Sequence, residues 1–375
     1  MSEPALSGGL YGSDASDGRL RAAFRSGAIP VSVYGLGKMG LPLAATYADV
    51  TGNVTGVDID ESVVEMINDG GCHVQREPGL PELVAECVDR GALRATATSL
   101  HVVIVPTLLS EERDPDLSVV EAVADSIASG LSPGDLVVVE STLPPGTCRD
   151  ILAPRLVEQS GLAADQFGLA FCPERAASGR ALADIRSARP KVVGGVDEES
   201  TRAAALVYNE LVDNDIVVVG GATTAEAVKV FEGLYRDANI ALANELARFT
   251  DELDIDVREA IAAANTQPYC DIHTPGPGVG GHCIPYYPYF VLNWLTTAAP
   301  LVRTARTVND SMPGFIVDKV REGLALDGVD PVESTVLVLG LTYRAGVAET
   351  RASPAVAVCE RLAERGTSVL AVDPL

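Results

Sequence analysis

The sequence predicts an α/β protein: an N-terminal sheet of the doubly wound kind, a central all-helical region, and the start of a second strand–helix–strand unit at the C-terminal end. Three observations carry this. "IPVSVYGLGKMGLPLAATYA" (29–48) reads as a short apolar strand, a glycine turn and a helix. Four more apolar runs follow, each ending in small or polar residues, as strands of a parallel sheet do at the edge that meets ligands. A proline-free stretch, 223–253, then repeats apolar residues at three- and four-residue spacing.

The chain has 375 residues, 47% of them hydrophobic, enough for two or three cored domains. "MSEPALSGGLYGSDASDGRLRAAF" holds no apolar core of the kind a secretion signal needs, which predicts a cytoplasmic protein with a mobile tail over 1–29. No apolar run reaches the roughly 18–20 residues of a membrane span. The net charge of −24, from 52 acidic and 28 basic residues, disfavours a nucleic-acid partner. Only four of the basic residues are lysines: Lys38, Lys191, Lys229 and Lys319. Such self-repulsion is tolerable in concentrated salt, where the Debye length falls to about 3 Å at 1 M, and it points to a halophile. Seven scattered cysteines with no C-x-x-C pair form neither a disulfide framework nor a zinc ribbon.

The first domain is placed at 30–200. Gly35, Gly37 and Gly40 spell G-x-G-x-x-G at the strand-to-helix junction, and "GNVTGVDID" (52–60) is a second strand closed by Asp58. In that context the glycines mark a dinucleotide site. Gly37 admits the pyrophosphate to the helix N-terminus, with Leu36 and Met39 beside it, while Asp58 accepts from a ribose hydroxyl and so favours NAD over NADP. The next strands fall in "LHVVIVPT" (100–107), "DLVVVEST" (135–142), "FGLAFCPE" (167–174) and "RPKVVGG" (189–195), leaving Thr107, Thr142 and Glu174 at the ligand-facing edge. A central helical region is placed at 201–322. There Lys229 and Arg236 lie seven residues apart, two turns along one helix face. "GLALDGVD" (323–330) reads as a linker. From 330 to 375 a loose echo of the first unit has strands ending in "GLTY" and "VDP" with a helix of about 352–365 between them. Two strands are too few for an independent doubly wound sheet, so this unit is expected to be incomplete. Between helices and echo lies "GVGGHCIPYYPYF" (278–290), too rich in glycine and proline for ordinary helix or strand and centred on Cys283.

Seven ordered motifs, "GLGKMGLPLA", "EPGL", "ESTLPPGT", "CPERAASG", "YRDANIALANELA", "PGPGVGGHCIP" and "GLTYRAGVAETRASPA", make the chain resemble the NAD-dependent nucleotide-sugar 6-dehydrogenases, the UDP-glucose/UDP-N-acetylmannosamine dehydrogenase family. "CPER" and "GGHCIP" are more similar to the N-acetylmannosamine branch than to the glucose branch. The resemblance implies an NAD-binding Rossmann domain, a central helical region that forms a homodimer, and a Rossmann-like UDP-binding domain. It implies four-electron oxidation of a UDP-sugar C6 alcohol to the carboxylate, with UDP-N-acetylmannosamine favoured and UDP-glucose or UDP-N-acetylglucosamine as alternatives.

The chemistry such an oxidation needs is intelligible in itself. Two oxidations in sequence would release an aldehyde between them, and a thiol traps it as a thiohemiacetal whose oxidation leaves a hydrolysable thioester. The resemblance assigns that thiol to Cys283, with the glycines letting the loop wrap the sugar. It assigns the oxyanion cation to Lys229 and the holding or activation of water to Thr142 and Glu174. Arg175, Ala176, Arg236 and Gly280 fall at nucleotide-sugar contacts, Tyr343 and Arg344 at the UDP contacts, and Arg351 reaches toward the cofactor. Two positions depart from the family pattern: Gly233 stands where an asparagine is usual and Tyr287 where an aspartate is usual. Either the Tyr287 phenol replaces a lost oxyanion donor, or the protein is a weakened, nucleotide-sugar-binding relative; the retained Cys283, Lys229, Thr142 and Glu174 favour the enzyme. His282 and Cys283, adjacent and without a second pair, make poor zinc geometry, and no metal is expected.

Overall fold

The computed structural model describes residues 9–74, 76–94, 100–176 and 179–374, with the side chains of 187 and 188 left out. They divide into two compact units, residues 1–108 with 116–229, and 109–115 with 230–375. In chain order the strands are β1 (Val31–Tyr34), β2 (Val54–Val57), β3 (Leu100–Val103), β4 (Leu108–Leu109), β5 (Pro115–Asp116), β6 (Leu136–Val139), β7 (Gly168–Phe171), β8 (Lys191–Gly195), β9 (Ile216–Val218), β10 (Thr335–Leu339) and β11 (Ser368–Val372).

The first unit is a seven-stranded sheet in the order β2-β1-β3-β6-β7-β8-β9. The chain leaves β1 to one side for β2 and returns to the other for β3, so a topological switch point lies between β1 and β3. β3, β6 and β7 are buried throughout, and β1 at all but its last residue, as strands covered on both faces must be. All pairs are parallel except β7–β8, which is antiparallel. This unit extends past the expected boundary at 200. Helix Glu198–Leu211 packs on β8, and β9 joins the sheet as a further strand, in a stretch the sequence assigned to helices alone.

The expected mobile tail is also corrected over its described part. Asp17–Arg25 is a helix whose Leu20 and Phe24, one turn apart, are fully buried, as is Leu10. Two apolar residues at i and i+4 suffice to seat a short helix, and glycine and serine around them disguise that signal. Residues 1–8 of the tail, and Ala177 and Ser178 of "CPERAASG", lie outside the described residues.

The second unit is built on two long helices, Ala222–Glu252 (its first turns belong to the first unit) and Pro300–Leu326. Arg306 pairs with buried Asp237, Asn309 donates to the Asp237 carboxylate at 2.8 Å, and Asn244 donates to Asn309 at 2.9 Å. β10 and β11 pair in parallel, with helix Pro354–Glu364 between them in sequence, against the expected 352–365. The echo of the first unit is close at the turn. Gly35 and Gly340 both adopt φ +92° and both donate to the last carbonyl of the neighbouring strand, Val57 or Val372, at 2.8 Å. The next amides, Leu36 and Leu341, donate to Asp58 at 2.7 Å and Asp373 at 2.6 Å. The copies part after the turn. In the first, helix Gly40–Thr51 starts at once; in the second, residues 341–353 intervene before the helix. Among the described residues no helix is long and apolar enough to cross a membrane.

Candidate active site

Three glycines at the switch point have three different reasons. Gly35 needs its positive φ, and a side chain there would also meet the Ile104 carbonyl at 2.9 Å. A Cβ on Gly40 would lie 1.8 Å from the Gly35 carbonyl oxygen, so only glycine lets the helix start this close to β1. A Cβ on Gly37 meets nothing within 4 Å. Its absence keeps open a cradle in front of a helix whose N-terminus has no side-chain cap. Thr107, past β3, buries a hydroxyl with no hydrogen-bond partner among the described residues. Asp58 is fixed by the Leu36 and Asp60 amides at 2.7 and 3.0 Å. An open cradle, an uncapped helix start, an orphan hydroxyl and an oriented carboxylate fit a dinucleotide.

Further along the same edge, Ser141 stitches the ends of β3 and β6 together. It accepts from the Val105 amide at 2.8 Å and donates to the Val105 carbonyl at 2.7 Å, which fixes the half-buried Thr142 beside it. Glu174, at the end of β7, accepts the Arg175 and Ala176 amides, both at 2.6 Å, and lies 3.5 Å from Lys191 Nζ. Burial alone would raise its pKa, but Lys191, the Ala176 amide, Lys229 and the Arg175 amide outweigh burial and hold it below the ordinary carboxylate value. Lys229 donates to the Glu174 carbonyl oxygen. The helix carrying Lys229 is anchored by Glu226, whose buried carboxylate takes the Gly146 and Cys148 amides at 2.5 and 2.7 Å. The Arg175 guanidinium reaches the Pro190 carbonyl at 3.0 Å. Glu174, Thr142, Lys229 and Arg175 were legible in the sequence, and Glu226 was not. Nor was Glu77 of "EPGL", whose carboxylate takes the Gly179 and Leu182 amides.

In the second unit the glycine-rich loop rests on the helix pair: Gly276 donates to Asn244 at 2.9 Å, and Gly278 has φ +133°. The space left bare at Gly280 and Gly281 is filled by the chain itself. A Cβ on Gly280 would lie 2.5 Å from Tyr343 Cβ and 2.9 Å from the Ala352 carbonyl oxygen; one on Gly281 would lie 3.0 Å from the Tyr343 ring. The Gly281 amide donates to the Arg351 carbonyl at 3.1 Å. These glycines therefore seat the segment 341–353 against the thiol loop, a role the sequence did not suggest for them. Cys283 is exposed. His282 beside it has its pKa raised, chiefly by a side-chain hydrogen bond with Cys283, against partial burial, with Glu349 adding to the rise. Glu349 lies 3.8 Å from His282 and 3.7 Å from Arg351. An imidazolium next to a thiol favours the thiolate. Tyr343 is half-buried against this loop, while Arg344, Arg351 and Arg236 are exposed.

The two departures from the family pattern turn out to be one contact. A Cβ on Gly233 would lie 2.3 Å from Cδ2 of Tyr287, whose ring is buried with Val230 and Phe290. Glycine inside a helix costs about 1 kcal/mol relative to alanine, and here it makes room for a phenol.

Comparison with known proteins agrees with this geometry over most of the chain. Residues 29–212 match the NAD binding domain of the UDP-glucose/GDP-mannose dehydrogenase family, 223–311 its central domain and 337–375 its UDP binding domain. The chain belongs to that family. The UDP-N-acetyl-D-mannosamine dehydrogenase of Pyrococcus horikoshii is 38% identical over 92% of this chain and 83% of its own length. An NDP-N-acetyl-D-galactosaminuronic acid dehydrogenase of Ralstonia solanacearum is 38% identical over 92% and 82%. A solved structure of the P. horikoshii enzyme superposes with a TM-score of 0.88 at 37% identity, covering 92% of this chain and 84% of that one. As a UDP-glucose/GDP-mannose dehydrogenase family member, the chain is an NAD-dependent oxidoreductase of nucleotide sugars.

Proposed function

We propose that the protein oxidises the C6 alcohol of UDP-N-acetyl-D-mannosamine to the carboxylate. The observation that carries the chemistry is the exposed Cys283 thiol beside a pKa-raised His282, in a loop fixed by Gly280, Gly281 and Tyr343. The choice of sugar rests on the "CPER" and "GGHCIP" motifs and on the names of the similar enzymes. Gly35, Leu36, Gly37, Met39, Gly40, Asp58, Thr107 and Thr142 would hold NAD, with Arg351 reaching toward it. When bound, NAD accepts the hydrides released in the oxidation. Cys283 Sγ adds to the aldehyde carbon and retains it as the thiohemiacetal, which goes on to the thioester. Glu174, ionised, takes a proton from water as the water oxygen bonds to that carbon, and the C–S bond breaks to return the thiolate. Lys229 stabilises the oxyanion, aided by the Tyr287 hydroxyl, and Thr142 orients the water. Arg175, Ala176, Arg236, Gly280, Tyr343 and Arg344 bind the nucleotide sugar.

The test is NAD reduction in molar KCl with UDP-N-acetylmannosamine, UDP-N-acetylglucosamine and UDP-glucose, repeated with NADP. The expected result is highest kcat/KM for the mannosamine derivative and a clear preference for NAD, because Asp58 would repel a 2′-phosphate. Equal values for the two cofactors would remove Asp58 from the ribose, and a better glucose substrate would overturn the sugar assignment.

The same reading makes the protein a cytoplasmic homodimer suited to high salt. Phe231, Tyr235, Leu242 and Phe249 are all exposed on helix Ala222–Glu252, with exposed Leu253 just past its end, at spacings of four and seven that follow one face. A second copy of this chain is the partner such a seam fits. In molar KCl the melting temperature should rise above its value in dilute buffer as carboxylate repulsion is screened, and sedimentation should give twice the chain mass. A melting temperature that stays level or falls would dispose of the halophile reading, and a monomer would dispose of the seam.

A further inference from the structure

Lys191 is one of four lysines in the chain, and it is buried. It sits at the ligand-facing edge because β8 runs against β7. Ala170 pairs with Gly195 and Phe171 with Gly194, and continuing that register by three residues brings Lys191, the first residue of β8, level with Glu174. Glu140, just past β6, emerges at the same edge. Lys191 Nζ lies 2.6 Å from Glu140 and 3.5 Å from Glu174, and it stands over the Tyr208 ring at 4.7 Å. The Tyr208 hydroxyl donates to the other Glu140 oxygen. Glu140 and Lys191 take no part in the chemistry assigned above, yet two buried ionic groups are costly to desolvate unless their arrangement does something.

We propose that Lys191, held in place by Glu140 and Tyr208, is the positioning residue for Glu174: it keeps that carboxylate ionised and aimed for the water-activating step. This rests on the reading of Glu174 as the group that takes a proton from water. The two oxygens of Glu174 are held differently. Oε1 is fixed by two backbone amides that cannot change charge, and Oε2 faces the ammonium. The other titratable and charged groups around the cluster are Lys229 on the long helix, Tyr208 on helix Glu198–Leu211, Tyr47 on helix Gly40–Thr51, Cys172 after β7, and Arg175, Asp184 and Arg189, which line the same cavity as Glu174 and Lys191. Burial raises Tyr47, Tyr208 and Cys172, so they stay neutral around neutral pH. Lys191 is opposed by burial but raised on balance by Glu140 and Glu174, so it stays charged. Glu140 is raised by burial, with Lys191 opposing and Glu174 adding. Removing the ammonium must therefore raise the pH at which Glu174 ionises, whereas Glu140, pushed up to about 7, is already protonated where Glu174 titrates, so its replacement must leave that pH unmoved.

The experiment is the pH dependence of kcat for acid formation in four variants of this chain, with folding checked by cooperative melting. Lys191→Met combined with Glu140→Gln removes both members of the pair and leaves Glu174 held by its two backbone amides alone. It should move the acidic limb up by about one pH unit or more, the size expected for losing an opposite charge at this range. Glu140→Gln alone, which replaces a carboxyl already neutral on that limb, should leave it unmoved, and Lys191→Arg should leave it near its wild-type place. A purely structural pair cannot move the limb in the double variant while sparing it in Glu140→Gln and Lys191→Arg. An acidic limb unmoved in the double variant would overturn the inference while leaving Glu174 as the base. Should the fourth variant, Glu174→Gln, still form acid at the wild-type rate, the assignment of Glu174 itself falls, and the role of Lys191 with it.

Discussion

Replacing Cys283 by serine is expected to abolish conversion of the UDP-sugar to the acid while leaving NAD binding nearly intact. Serine keeps the size and the turn, in which the Tyr286 and Tyr287 amides donate to the Cys283 carbonyl at 3.1 and 3.0 Å. It loses the polarisable, ionisable sulfur. A thiol is a far stronger nucleophile than an alcohol near neutral pH, and His282, its pKa raised chiefly by the side-chain hydrogen bond with Cys283, sits beside it. The glycine turn at Gly35–Gly40 and the Asp58 carboxylate lie in the other unit, and no atom there changes. Calorimetric titration with NAD and mass-spectrometric detection of the uronic acid separate the two effects. A serine variant that makes acid at the wild-type rate would show that the thiol is not the nucleophile.

The second large effect is expected at the Gly233–Tyr287 contact. Gly233→Asn places a side chain where the Tyr287 ring already lies, 2.3 Å from the new Cβ, and that ring is walled in by Val230 and Phe290. Overpacking of this kind costs about 1–3 kcal/mol. Combining it with Tyr287→Asp, which restores the usual family pair, should cost less than the sum of the two single changes. A thermodynamic cycle of melts in molar KCl measures the coupling. Simple additivity would mean the two positions changed independently. Tyr287→Phe keeps the ring volume, so its rate reports the hydroxyl alone. A loss of about 10²-fold, the size seen when one oxyanion donor is removed, is expected. A near-normal rate would return Tyr287 to packing.

Much of the fold was legible because its signals are local. The G-x-G-x-x-G turn, the acid closing the second strand and the helix at 222–252 each declare themselves within a window of a dozen or so residues. The β8 strand was legible as a strand, but its direction was not, since antiparallel pairing is decided by where the chain returns. That hidden direction places Lys191 beside Glu174. Strand β9 is only three residues long and half exposed, too little to stand out between two helices. The thiol loop was legible as unusual, but its glycines were read as serving the ligand. The neighbour they accommodate, Tyr343, is far away in sequence and leaves no local trace.

The contrast among the seven cysteines has a practical consequence. Cys87, Cys148 and Cys172 are buried, Cys72, Cys270 and Cys359 are partly covered, and Cys283 alone is exposed. Burial raises the pKa of Cys72, Cys87, Cys148, Cys172 and Cys359, which slows each toward electrophiles. A mild alkylating reagent at neutral pH should therefore reach Cys283 first. One adduct per polypeptide, located by peptide mapping, would count competent molecules in a preparation without any turnover assay. The same position offers a ready-made attachment point for a fluorophore or a covalent inhibitor, with no cysteine engineered in and none removed.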